Sequence, residues 1–191
     1  MPSLPTTLIV GENQPNPGGK SQDERYLEAA AAYGAALHRL ASGYEADAEK
    51  RRDLLQEIHL ALWRSFQSFD GRCSPRTWVY RVAHNAATTY VIHQRRSHTS
   101  SLVCLEELGT LPDSAESERA ADQRHSLERL LALVQQLKPL DRQVILSYLE
   151  GLDAAETADI TGLSPGNVAT KIHRIKNFLA QQFHQGGRHA K

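Results

Sequence analysis

The chain has 191 residues, 40% of them hydrophobic, and its 22 basic and 22 acidic side chains cancel to a formal charge of zero. That length buries one or two small cores, and no apolar stretch reaches the roughly 20 residues that a spanning helix needs, which excludes insertion into a bilayer. The two cysteines, Cys73 and Cys104, stand far apart without a C-x-x-C pair or a histidine spacing that completes a ligand set, so no metal and no cofactor are expected. The opening MPSLPTTLIV lacks a basic segment followed by a continuous apolar core, and the expected location is the cytoplasm.

Residues 1–21 are rich in Pro, Gly, Asn, Ser and Thr without helical periodicity, which predicts a disordered tail. From Asp23 to Gly71 helix breakers are few, and Leu54, Leu55, Ile58, Leu62 and Phe66 recur at three-to-four spacing on one face. Asp53, Gln56 and Glu57 are left on the outer face of that helix. A further helix starts at Ser74, whose hydroxyl caps the first turn while Pro75 takes the position where its missing N–H costs nothing. It runs to about Arg96, closing a first helical domain over residues 22–97.

Residues 98–123 carry Ser, Thr, Gly109, Pro112 and the acids Glu106, Glu107, Asp113, Glu116, Glu118 and Asp122, the composition of a flexible acidic linker. Periodicity resumes at Leu127, Leu130, Leu131, Val134 and Leu137 and stops at Pro139, and another helix covers about 140–150, with Gly151 suited to a left-handed cap. No alternating strand pattern occurs. The fold class is therefore all-α: two small helical domains, 22–97 and 124–185, followed by a short basic tail at 186–191.

Within the second domain the stretch 154–172 has the form of a helix-turn-helix. Ala158 permits close helix approach, Gly162 tolerates positive φ in the short turn, Leu163 fills the angle, and Ser164 with Pro165 starts the second helix. Val168, Ile172, Ile175 and Leu179 form its buried stripe. Asn167, Thr170, Lys171 and Arg174 then share the opposite face, with Ser164 at the amino end and Lys176 beside it, a surface suited to base edges and phosphates of duplex DNA.

Local charge agrees. No Asp or Glu occurs between Asp70 and Glu106, or after Asp159. The first window holds Arg72, Arg76, Arg81, Arg95 and Arg96, the second Lys171, Arg174, Lys176, Arg188 and Lys191. A polyanion responds to charge within a Debye length, so this arrangement predicts two separate contacts with nucleic acid. In the first window Trp78 and Tyr80 interleave with Arg76 and Arg81 ahead of Asn85. Aromatic faces that stack bases, at about 1–3 kcal/mol each, beside arginines that hold a backbone are what single-stranded DNA requires, although either aromatic alone also suits a small core.

Taken in order, the D-L-x-Q-E helix from Asp53, the F-D-G loop, T-W-V-Y-R-V-A-x-N from Thr77, the Arg95–Arg96 pair, an acidic linker and a helix-turn-helix resemble an extracytoplasmic-function sigma factor of bacterial RNA polymerase. The resemblance covers about residues 25–185. It implies core RNA polymerase and promoter DNA as partners, and an anti-sigma factor as a third. By position, Asp53, Leu54, Gln56, Glu57 and Ile58 match the polymerase-binding helix. Arg76, Trp78, Tyr80, Arg81, Asn85, Arg95 and Arg96 match the segment that opens and holds the minus-ten element. Ser164, Asn167, Thr170, Lys171, Arg174 and Lys176 fall on the helix that reads the minus-thirty-five duplex.

Departures concern promoter sequence more than role. Thr89 stands where an acid is common, Lys171 where arginine is common, and Ala169 replaces a frequent lysine, for which His173 compensates only when protonated. Glu156-Thr157-Ala158 replaces the usual Glu-Ile-Ala, which implies weaker packing of the first motif helix. An alternative is a helix-turn-helix regulator that binds duplex DNA by itself, with the first domain as dimeriser; it accounts for 154–176 but not for 77–85. An enzyme of nucleic-acid metabolism is not supported, because Glu106 and Glu107 sit in the linker beside no convergent histidines and no phosphate loop or nucleophile motif is present.

Overall fold

A computed structural model describes residues 20–99 and 118–186, and among them the regular structure is helical, with no strand. The predicted tail up to residue 19, residues 100–117 of the predicted linker with Cys104, and residues 187–191 lie outside the described part. The first domain consists of α1 (Gln22–Tyr44), α2 (Ala48–Ser65), a short 3₁₀ turn at Phe66–Ser68, and α3 (Pro75–Thr99). The second consists of α4 (Glu118–Gln136), α5 (Pro139–Leu149), α6 (Ala154–Thr161) and α7 (Pro165–Gly186).

Local chemistry sets the starts of these helices. Ser21 and Glu24 form a reciprocal capping box on α1, with the Ser21 hydroxyl accepting from the Glu24 amide and the Glu24 carboxylate accepting from the Ser21 amide. Asp47 caps α2 by accepting from the amides of Glu49 and Lys50, both at 2.9 Å. Ser74 caps α3, accepting from the Thr77 amide at 3.0 Å, where the sequence places it. Asp153 and Glu156 make a second capping box on α6, which sequence inspection passed over in favour of the Ser164–Pro165 start one helix later.

One boundary differs from expectation. Helix α4 begins at Glu118, so the last part of the predicted 98–123 linker is helical. The acidic residues there resemble a linker by charge, but Glu, Arg and Ala are strong helix formers, and helix propensity accounts for the earlier start.

Leu37, Leu40, Leu54, Ile58, Leu62 and Val79 form the interior of the first domain, and Val134, Val144, Ile145, Val168, Ile175 and Leu179 that of the second. The two interiors are continuous: their buried apolar residues belong to one cluster, and α1 and α3 pack directly against α4, α5 and α6. Across this boundary Leu146 of α5 seats on Gly43 of α1, where an added Cβ would lie 2.5 Å from Leu146 Cδ2. Glycine is used there for close approach of two helices.

The helix-turn-helix has the predicted plan. Ala158 and Val168 are buried, and Gly162 turns with φ 76 between α6 and α7. The predicted weak point is also visible, because Thr157 is fully buried and its Oγ1 has no hydrogen-bond partner. An unsatisfied buried hydroxyl costs about 1–3 kcal/mol. Thr157→Val, of nearly the same shape, is expected to raise stability by about 1 kcal/mol and the melting temperature by about 2–4 °C, read by calorimetry; a lower melting temperature would contradict this account.

Candidate nucleic-acid interface

Helix α2 presents Asp53, Gln56 and Glu57 to solvent, as its period predicts. Leu54 and Ile58, matched to the same polymerase-binding surface by resemblance, have no exposed surface at all. In this position their side chains pack in the interior of the domain and hold the helix in place. Glu57 lines an open groove between α2 and α3 together with Asn85, Thr89, Tyr90 and His93. Two residues assigned from sequence to different partners therefore share one groove. The positions 82, 85, 86, 89, 90 and 93 have helical spacing, so the α3 wall of this groove was discernible in the sequence; its pairing with Glu57 was not.

At the start of α3 the expected strand-binding residues separate into two environments. Trp78 is half-buried, donates its indole N–H to Ser65 Oγ at 2.9 Å and packs in a tilted arrangement with the Phe69 ring, centroids 5.3 Å apart, tying α3 to the end of α2 and the loop that follows it. Asn85 is exposed. Tyr80 is only 2% exposed, and burial first, then the neighbouring Glu150 charge, pushes its hydroxyl up to about 12.

Arg76, Tyr80 and Arg81 all engage the second domain. Arg76 Nη2 donates to the Glu150 carbonyl at 2.8 Å and Nη1 lies 3.7 Å from the Glu156 carboxylate. The Tyr80 hydroxyl donates to Glu150 Oε2 at 3.3 Å, and Arg81 Nη2 donates to the Asp159 carbonyl at 2.8 Å. No local pattern marked Glu150, Glu156 or Asp159 as partners of these residues. Arg95 and Arg96 lie on the last turns of α3, and their side chains fall outside the described part.

On α7, Ser164 accepts from the Asn167 amide at 3.3 Å; Asn167, Thr170 and Arg174 are exposed on one side of the buried stripe of Val168, Ile175 and Leu179, and Lys176 is exposed on its other side. Thr170 donates back to the Gly166 carbonyl at 2.9 Å. Lys171 is partly covered, bridging to Asp141 of α5 at 2.6 Å. Lys176 lies over the Tyr148 ring at 5.2 Å. Asp141 therefore fixes Lys171, while Arg174 one turn further on is exposed. Among the described residues, no group of three His, Cys, Asp or Glu side chains converges in a way that would hold a metal ion, and no helix is long and apolar enough to cross a membrane.

This arrangement, a three-helix domain followed by a helix-turn-helix domain, matches two family profiles in the same order: Sigma-70 region 2 over residues 30–97 and Sigma-70, region 4 over residues 127–179. Similar chains carry the same identity. The ECF RNA polymerase sigma-E factor of Haemophilus influenzae is 29% identical over 137 residues, covering 66% of this chain and 71% of that protein. The ECF RNA polymerase sigma factor SigX of Bacillus subtilis is 27% identical over 136 residues, covering 67% and 68%. The chain is an ECF sigma factor.

Two solved structures share the fold of this sigma factor. CnrH, in complex with the cytosolic domain of CnrY, superimposes with a TM-score of 0.62 at 21% identity, covering 88% of this chain and 92% of that one. The sigma factor RpoE from Bartonella quintana, in complex with the anti-sigma factor NepR, gives a TM-score of 0.64 at 20% identity, covering 85% and 98%. The region 2 match falls within α1 to α3 and the region 4 match within α4 to α7.

Proposed function

We propose that this sigma factor docks on core RNA polymerase through the outer face of α2, with Asp53, Gln56 and Glu57 making the contact and Leu54 and Ile58 holding that face in position. Trp78, Tyr80, Arg81 and Asn85, with Arg76 and the Arg95–Arg96 pair, then hold the opened minus-ten element. Asn167, Thr170, Lys171 and Arg174 read the minus-thirty-five duplex, with Ser164 and Lys176 at the flanks. The protein carries out no covalent step, since capture of unpaired bases lowers the cost of strand opening for a polymerase that supplies the chemistry. It acts in the bacterial cytoplasm, where polymerase and promoter are. Because the similar sigma factor RpoE of Bartonella quintana was solved with the anti-sigma factor NepR, an anti-sigma factor is also the expected regulator here.

The observation that supports this reading best is the exposed Asn167, Thr170 and Arg174 on the outer stripe of α7, in the same chain as a region 2 domain with an acidic outer face on α2. A stand-alone regulator has no use for the second feature. The decisive test is reconstitution: purified core polymerase with this chain is expected to start transcription from a cognate promoter, and a chain that fails to bind core polymerase would remove the proposal. Within that assay Arg174→Ala is expected to weaken minus-thirty-five duplex binding by about 1–3 kcal/mol, checked by fluorescence anisotropy at fixed salt; unchanged affinity would take Arg174 out of the interface.

A further inference from the structure

We propose that Asp141 of α5 is a specificity-determining residue of the duplex-reading surface: by pairing with Lys171 it turns that lysine from a phosphate-seeking cation into a held, charge-compensated hydrogen-bond donor. This deepens the reading of α7 given above and rests on it.

The pairing joins two helices. Lys171 Nζ donates to Asp141 Oδ1 at 2.6 Å, and the two side chains are 33% and 25% exposed. Helical period explains why this lysine is the one that reaches α5. Val168, Ile175 and Leu179 define the buried stripe of α7, and position 171 falls between that stripe and the exposed Asn167 and Arg174, one turn away on either side along the same flank. Asp141 stands in the first turn of α5, just after the Pro139 start, where the helix dipole favours a carboxylate whatever its partner. Lys138, Lys171 and Arg174 line one open hollow with it, between the end of α4, the start of α5 and α7. These cations share a single carboxylate in the hollow, and the geometry commits it to Lys171.

Charge and donor capacity then separate. An ammonium carries three N–H donors and one positive charge. Asp141 takes one donor and offsets the charge, which leaves the other N–H groups for the acceptor edge of a base in the major groove. The pair as a whole offers a phosphate little net attraction. A compact ammonium held by one carboxylate oxygen keeps its remaining donors rotatable toward the duplex, which a planar guanidinium fork spent on a carboxylate does not. Arg174, exposed one turn further on, brings charge to the backbone, and Lys171 brings discrimination between bases.

Full-length chains are compared by fluorescence anisotropy across a salt series on two duplexes of 20 base pairs, one enriched by the parent chain from a random pool and one of mixed sequence. Asp141→Asn keeps the shape of the side chain and removes its charge, which releases Lys171. Binding of the mixed duplex at low salt is expected to tighten by at least about threefold, and the slope of log affinity against log salt to steepen by about 0.9. The preference for the enriched duplex is expected to fall by at least about threefold, since a freed ammonium reaches any phosphate. Asp141→Asn combined with Lys171→Ala puts a neutral pair in place of a neutral pair. Its salt slope on the mixed duplex is expected to return to that of the parent, while its affinity for the enriched duplex stays at least about fivefold weaker.

A parent-like slope in Asp141→Asn would overturn the proposal, because the carboxylate then withholds nothing. So would a slope in the double variant about 0.9 shallower than the parent's, because Lys171 would then already lie on a phosphate in the parent chain. Arg174→Ala separates this from failure of the α7 reading. If that variant binds both duplexes as the parent does, α7 does not read duplex and both proposals fall; if it weakens both while Asp141→Asn leaves the slope unchanged, only the role of Asp141 is lost.

Discussion

Reversing the charge at Asp53 and Glu57 together, to lysine, is expected to weaken the binding of this sigma factor to core polymerase by at least about a hundredfold, or about 2.7 kcal/mol. The physical ground is the separation of roles within one helix. Both carboxylates are exposed, so nothing in the fold depends on their charge, whereas Leu54 and Ile58 are sealed into the domain and carry the packing. A like charge placed against a complementary surface costs several kcal/mol, and rim charges act on the rate of encounter. The melting temperature should stay within about 2 °C of the parent, because surface substitutions of this kind shift stability by only about 0.5 kcal/mol. Affinity is read by surface plasmon resonance with immobilised core enzyme, and equal affinity for parent and variant would remove α2 from the interface. Ile58→Ala should show the opposite pattern. It is expected to lose about 2–5 kcal/mol of stability, and its polymerase binding should suffer only through unfolding.

Mild acid is expected to destabilise the folded chain through His84. Its imidazole is fully buried, hydrogen-bonded to the Tyr44 hydroxyl at 3.0 Å and to Ser147 at 3.1 Å, and burial pulls its pKa from 6.5 down to about 3. Its hydrogen-bonding neighbours give no compensating charge. Burial holds the Tyr44 hydroxyl neutral, with its pKa raised to about 12, Ser147 is uncharged, and the nearby Arg142 guanidinium lies over the Tyr44 ring at 5.3 Å, where it opposes a second cation. Because the folded pKa lies below the unfolded value, the stability at stake is complete above about pH 6.5 and is lost as pH falls toward 3. Between pH 7 and pH 5 the unfolded chain gains nearly one proton that the folded chain does not, a loss of about 2 kcal/mol. The test compares urea midpoints at the two pH values for the parent and for His84→Gln. The parent should lose about 2 kcal/mol more than the variant, and parallel pH dependence would show that His84 does not titrate across the transition. Since Ser147 belongs to α5 and His84 to α3, the same protonation favours separation of the two domains.

Much of this molecule was legible because it is written in local chemistry. The Ser74–Pro75 start of α3, the Gly162 turn, the Ala158 and Val168 contacts and the outer stripe of α7 each depend on residues within about two turns of one another, which is the range over which periodicity and capping operate. The start of α4 differs from expectation for a related reason: acidic composition is ambiguous between a linker and a helix surface, whereas the intrinsic propensity of Glu, Arg and Ala favours the helix. Leu54 and Ile58 lie on the buried face of the helix that exposes Asp53, Gln56 and Glu57, because a motif names a helix and only burial separates its two faces.

By itself the sequence determined an all-α chain with two cationic modules, a helix-turn-helix and a region 2 domain, since helical period, turn residues and charge-free-of-acid windows are properties of neighbouring residues. Only the tertiary structure decided that the two modules dock, and that Glu150 reaches Arg39, Arg76 and Tyr80 from 70 to 111 residues away. Contacts at that separation leave no periodic trace in the chain. They exist because helix packing brings the end of α5 and three side chains of another domain to one point, a coincidence of geometry that composition and spacing do not record.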